Sequence, residues 1–191
     1  MKPDEALYFI ALIPPEPLAG QLNTLKEYFA KGYNSKASLN SPPHITLHMP
    51  FRWRTKKLNL LVSGLEELAD SCSPFSVHLK NFGAFPPRVI FIDVVPNQNL
   101  DRLQQQVVET ARKKWKLDNA NYRDRAFHPH ITLAFRDLRK PQFKAAWEEF
   151  GNKDFAGSFR VLNVGLLKHD GVRWQLEQTF KLKDRSASDW Q

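Results

Sequence analysis

Two histidine–threonine pairs, His44 with Thr46 and His130 with Thr132, stand in identical segments, Pro43-His44-Ile45-Thr46-Leu47 and Pro129-His130-Ile131-Thr132-Leu133. An imidazole titrates near pH 6.5, so at neutral pH one histidine can accept a proton while another donates one. Threonine hydroxyls can donate to non-bridging phosphate oxygens, whose charge must be held during displacement. On an extended strand alternate side chains share a face, so each pair projects together while the intervening Ile45 and Ile131 turn toward packing. A single such triplet is more simply a histidine packed within a strand. Repetition of the whole pentapeptide points instead to two strands that meet across a cleft under approximate two-fold symmetry, with acid and base on either side of one phosphate. That chemistry requires no metal and no cofactor.

Other candidates surround the repeat. His48 shares strand parity with His44, and His128 with His130, so four imidazoles could approach one cleft and hold zinc or copper. The absence of a carboxylate beside either motif argues against that reading. His78 and His169 have no repeated context and are expected at surface or partly buried positions. Phe85 and Phe127 could stack on a base, although core packing is the better default for each. Arg52, Arg88 and Arg136 are candidate phosphate ligands, with solvent at least as good a place for the first two; Arg136 has the parity of His130, and Cys72 reads as an inert thiol.

The elements that must position these residues follow from periodicity. The apolar run at 6–13, ended by Pro14-Pro15, predicts a buried strand, and Leu18, Leu22, Leu25 and Phe29 predict a helix over 16–31 stopped by Gly32. Pro42-Pro43 disfavours helix before His44 and leaves the first motif on a strand. Leucines at 58, 61, 65 and 68 predict a second helix, residues 75–81 a strand broken near Gly83, and 89–95 the strongest β run. A third helix is expected over 100–115 and, after a polar loop and the second motif, a fourth over 141–150. Two strands, 158–168 and 172–182, then flank an Asp170-Gly171 hairpin. Helices and strands alternate with a histidine strand in each half, which predicts an α+β fold of two related lobes.

The chain has 191 residues, 42% of them hydrophobic, enough for one substantial core, and no linker-like segment divides it. A single bilobal domain over 1–183 and a tail over 184–191 are expected. The lone cysteine cannot form an internal disulfide, the start lacks the apolar region of a secretion signal, and no apolar run approaches the ~20 residues needed to cross a bilayer. A soluble, cytoplasmic monomer without membrane attachment is the expectation. The formal net charge of +8 suits polyanionic partners such as nucleotides or RNA, or simply a solvated surface.

The stretch Phe127-His128-Pro129-His130-Ile131-Thr132-Leu133 is similar to the RNA phosphodiesterase branch of the 2H phosphoesterase superfamily. That superfamily includes 2′,5′ RNA ligases and RNA 2′,3′-cyclic phosphodiesterases and is named for two His-x-Thr/Ser motifs. Residues 8–13 resemble its opening strand, 43–47 its first motif and 82–95 its middle hairpin. The resemblance implies two pseudo-symmetric lobes with mainly antiparallel sheets around a central cleft. It implies His44 as proton donor and His130 as proton acceptor in opening a nucleotide or RNA 2′,3′-cyclic phosphate, with Thr46 and Thr132 holding phosphate oxygens. Reversible 2′,5′ ligation would exchange the histidines' roles. Relatives carry an arginine five residues after the second histidine, where this chain has Phe135 followed by Arg136. The segment Ile45-Thr46-Leu47-His48-Met49-Pro50-Phe51 also resembles other branches. A nucleotide- or RNA-binding module without efficient chemistry is the alternative.

Overall fold

Strand β1 (Glu5–Leu12) begins a computed structural model that describes residues 4–118 and 126–183. The 184–191 tail and most of the polar loop before the second motif lie outside the described residues. After β1 come α1 (Leu18–Tyr33), β2 (Ile45–Arg54), α2 (Leu58–Asp70), β3 (Phe75–Phe85), β4 (Val89–Val94) and α3 (Gln98–Thr110). The second half continues with β5 (His130–Ala134), α4 (Lys140–Phe150), β6 (Ala156–Val161), β7 (Asn163–His169) and β8 (Trp174–Lys181). The fold is α+β, as the alternation of patterns predicts.

All eight strands join one antiparallel sheet in the order β6-β3-β4-β5-β2-β1-β7-β8. Its midpoint falls between the two motif strands, and each lobe supplies four strands. A strand–helix–motif-strand unit occurs once per lobe, as β1-α1-β2 and as β4-α3-β5. The helices cross over, α1 packing on β5 and α3 on β2, so each lobe's first helix backs the other lobe's histidine strand. β2 and β5 pair through Ile45 and Ile131, the central residues of the two motifs, both fully buried.

The two faces of the sheet have separate tasks. In β1, Ala6, Tyr8, Ile10 and Leu12 enter the main core under the helices, whereas Phe9 and Ala11 join a smaller cluster with Leu167 on the opposite face. That alternation is the two-residue repeat of a strand covered on both sides. No helix among the described residues is long and apolar enough to cross a membrane.

Three boundaries differ from the periodicity. α1 runs through Gly32 to Tyr33, and Asn34, in the left-handed region at φ 54°, closes it with its N–H on the Phe29 carbonyl. An asparagine tolerates that conformation, so the stop lies two residues beyond the glycine. β3 does not end near Gly83. A bulge at Asn81 (φ 61°) shifts the register, Phe155 N–H donates to Asn81 Oδ1, and the strand continues to Phe85. Gly83 is needed there because it faces Phe91, whose Cε2 would lie 2.3 Å from an added Cβ.

The third difference concerns topology. The run at 158–168 is two strands that part at Leu162: β6 pairs with β3 at one edge of the sheet, and β7 pairs with β1 in the other lobe. Periodicity sees a continuous β pattern there because both pieces are extended and half-buried. The Asp170-Gly171 hairpin forms as predicted, with Asp170 Oδ1 accepting from the Val172 and Arg173 N–H groups and Gly171 at φ 107°.

Candidate active site

The two motif strands bring His44, Thr46, His130 and Thr132 to the wall of one cleft of about 810 Å³, with Arg136 on its lining. Each imidazole is fixed in the same way. His44 Nδ1 lies 2.7 Å from the Pro42 carbonyl and His130 Nδ1 lies 2.8 Å from the His128 carbonyl, two residues upstream in both cases. A carbonyl oxygen can only accept, so each neutral ring carries its proton on Nδ1 and keeps an Nε2 lone pair for chemistry. Pro42 and Pro129 add no competing backbone donor to these turns.

Each ring also lies against a phenylalanine from the neighbouring strand. Phe9 of β1 stands 4.8 Å from His44 with 50° between the planes, and Phe91 of β4 stands 4.8 Å from His130 with 49°. The strand registers are not identical, since Thr46 faces Ala11 whereas Thr132 faces Phe91. Trp174 packs edge-on against Phe9, and Phe85 leans on Phe91, so both supports are themselves held by an aromatic side chain at the cleft wall. Phe9 and Trp174 were not legible as site residues. The only signal is that Phe-Ile occurs at 9–10 and again at 91–92, in the strands beside the two motifs.

Electrostatics separates the two histidines. Burial pulls His44 down to about 4, with the positive charges of Lys26 and His130 acting in the same direction and the Pro42 hydrogen bond opposing. His130 is also lowered, first by burial and then by His128, while the His128 carbonyl and the Asp93 carboxylate oppose. Both rings are therefore neutral in the empty cleft at pH 7.

His48 does not join the other imidazoles. Ala11 pairs with Thr46 and Ile10 with His48, so β2 advances two residues where β1 advances one, and the extra residue, Leu47, reverses the alternation. His48 turns inward, 1% exposed, with Nδ1 2.8 Å from the Met49 carbonyl and its ring edge-on to Phe51, while Met49 takes its place on the cleft lining. His128 stays at the rim, with Nε2 3.1 Å from Asp93 Oδ1. A carboxylate does accompany the second motif: it comes from β4, directly across from His130, where strand pairing and not sequence proximity delivers it. Among the described residues no group of three or more His, Cys, Asp or Glu side chains is placed to hold a metal ion.

The remaining candidates divide. Phe85 and His169 line the cleft; Arg52 and Arg88 are exposed and absent from its lining; Phe127 packs partly buried against the core. Cys72 is buried, its thiol 3.1 Å from Gln106 Oε1. Arg136 adopts φ 57° at the exit of β5, and its guanidinium carbon lies 5.0 Å from the centre of the Phe135 ring.

Asp137 builds the wall beside Arg136. Its carboxylate accepts from Ser35 Oγ at 2.9 Å, Lys36 N at 2.7 Å and Ala37 N at 2.9 Å, which ties the turn after α1 to the exit of β5. That turn supplies Ala37, Ser38 and Ser41 to the cleft. Asp137→Ala removes all three bonds at once, a loss like that of a helix cap, and is expected to cost about 1–2 kcal/mol in urea denaturation. Asp137→Asn should retain part of the stability because its amide oxygen still accepts.

The chain is similar to known proteins over most of its length. The sequence profile of the 2′-5′ RNA ligase superfamily matches residues 14–173. A protein of Geobacillus sp. (strain WCH70), provisionally named a phosphoesterase, is 30% identical over 159 residues, covering 82% of this chain and 79% of its own length. A Geobacillus kaustophilus (strain HTA426) protein with the same provisional name is 27% identical over 176 residues, covering 91% and 94%. Among solved structures, TT0787 of Thermus thermophilus superposes with a TM-score of 0.71 at 22% identity, over 94% of this chain and 99% of its own. Escherichia coli LigT, crystallised with 3′-AMP, superposes at 0.66 and 20% identity, over 94% and 99%. These two likenesses establish the shared fold, and the profile match, which spans both histidine motifs, establishes the family. The chain belongs to the 2′-5′ RNA ligase superfamily of 2H phosphoesterases.

Proposed function

We propose that the protein opens 2′,3′-cyclic phosphates of nucleotides or RNA without a metal ion, and that the same site can run the reverse direction as a 2′,5′ ligation. The observation that carries this reading is the matched pair of imidazoles, each locked through Nδ1 with Nε2 left for the cleft. A binding module needs hydrogen-bond donors and positive charge but has no use for two proton carriers in the same tautomer. LigT has been crystallised with 3′-AMP and with phosphate, which supports nucleotide phosphates as occupants of this cleft.

In the opening direction, His130 Nε2 accepts a proton from water as its oxygen attacks phosphorus. His44, protonated, donates to the ribose oxygen that leaves. Thr46 and Thr132 donate to the non-bridging oxygens, and Arg136 offers a fixed cation for the same charge. Wild-type protein incubated with EDTA and each 2′,3′-cyclic nucleotide, or with RNA ending in a cyclic phosphate, should yield one monoester isomer by chromatography. If none of these substrates opens, this substrate class is wrong.

The pH dependence follows from the depressed histidines. Turnover needs one ring charged and one neutral, and a group with a lowered pKa loses its proton at a lower pH. The singly protonated free enzyme therefore becomes more abundant as pH falls below ~6.5. The optimum of kcat/KM is expected on the acid side of neutrality. The kcat profile should lie at higher pH, because a bound phosphate anion stabilises an imidazolium beside it. Rate measurements across the pH range check both, and a kcat/KM optimum above pH ~7.5 contradicts the reading.

A further inference from the structure

The buried side of α1 carries Leu18, Leu22, Phe29 and Ala30, and Lys26 stands among them. Lys26 is 1% exposed, and its hydrogen bond among the described residues goes from Nζ to the Ser41 carbonyl at 2.7 Å. A methionine or leucine would fill such a place without the desolvation that an ammonium suffers there. Ser41 is joined directly to Pro42, whose carbonyl accepts the Nδ1 proton of His44. The lysine thus grips the peptide next to the one that sets the tautomer of a cleft histidine, from behind the cleft and without lining it.

We infer that Lys26 is a positioning residue for His44: it anchors the Ser41-Pro42 turn that leads into the carbonyl orienting the ring, and its buried cation adds to burial in opposing a positive charge on His44 until a phosphate anion enters the cleft. This deepens the phosphoesterase reading and rests on it for the identity of the anion. Among the described residues the titratable groups that face His44 are Lys26 from α1 and His130 from β5, while β1 presents the apolar Phe9. The other lobe is built differently. There the residue whose carbonyl orients His130 is held by an anion, Asp93, through the His128 side chain. Two histidines in equivalent motifs are thereby made chemically unlike, one backed by a cation and the other by a carboxylate. Burial brings Lys26 down to about 8, so it is still mostly protonated at neutral pH.

The test follows the His44 imidazole by NMR across the pH range, its signal assigned by its loss in His44→Ala, with inorganic phosphate as the probe. In the wild type, the resonance should show a second, smaller inflection near pH 8, where Lys26 gives up its proton. Phosphate should raise the His44 midpoint. Lys26→Met, and Lys26→Gln, which keeps a donor for the Ser41 carbonyl, should each move the phosphate-free midpoint up by about one pH unit and abolish the second inflection. A purely structural lysine would leave that midpoint in place. An unchanged midpoint in a folded neutral variant overturns the inference, as does a wild-type titration without the second inflection, which decides the matter even if neither variant folds. A midpoint indifferent to phosphate overturns the coupling to the anion. None of these readouts requires a cyclic substrate, so failure to open one would leave the effect of Lys26 on His44 to be judged separately.

Discussion

Replacing either His44 or His130 with alanine is expected to lower kcat/KM for cyclic-phosphate opening by about 100-fold or more, with the fold intact by circular dichroism. Both rings lie on the cleft face, so their removal strips out a proton carrier and leaves the helix-covered core untouched. Each ring contributes one Nε2, and neither His48 nor His128 is placed to stand in. His48 is buried on the far side of the bulge at Leu47, and His128 is engaged at the rim by Asp93. A folded single variant that retained full activity would remove that histidine from the reaction. Thr46→Val and Thr132→Val should have smaller effects, since each deletes a hydrogen-bond donor and leaves both proton carriers in place.

Ile45→Ala and Ile131→Ala are each expected to cost about 2–5 kcal/mol of stability in urea denaturation. Both side chains are fully buried, and they face one another where β2 and β5 pair. The junction between the lobes and the spacing between the two histidine–threonine pairs depend on the same two residues. Activity per folded molecule should therefore fall along with stability. Leu61→Ala, in α2 away from the motif strands, removes an equally buried side chain and should lower stability while leaving the folded fraction active. If Ile45→Ala kept full activity in its folded fraction, the lobe junction would have no part in setting the site.

The sequence made the chemistry visible before the architecture. The duplicated pentapeptide was legible because a strand alternates its faces, and because His44, Thr46, His130 and Thr132 need only that alternation to project together. The same rule failed two residues later at His48, since one extra residue in β2 reverses the faces and a bulge leaves no mark on hydrophobic periodicity. Phe9, Phe91 and Asp93 reach the histidines by strand pairing, which no local pattern encodes. Lys26 is hidden in the periodicity because the apolar spacing of α1 reads as helical with or without it, although a lysine four residues after Leu22 is a departure from that stripe. The crossing of the chain between lobes at Leu162 was hidden because β6 and β7 have one continuous strand-like composition.

The reading depends on two copies of one segment acting on one phosphate. The most direct measurement is kcat/KM for the His44→Ala/His130→Ala double variant beside the two single variants. Proton transfer at both ends of a single displacement is already broken when one end is lost, so the double variant should be little worse than the poorer single variant. A double variant whose loss equals the product of the two single losses would show that the histidines act independently, and that result would contradict the shared site.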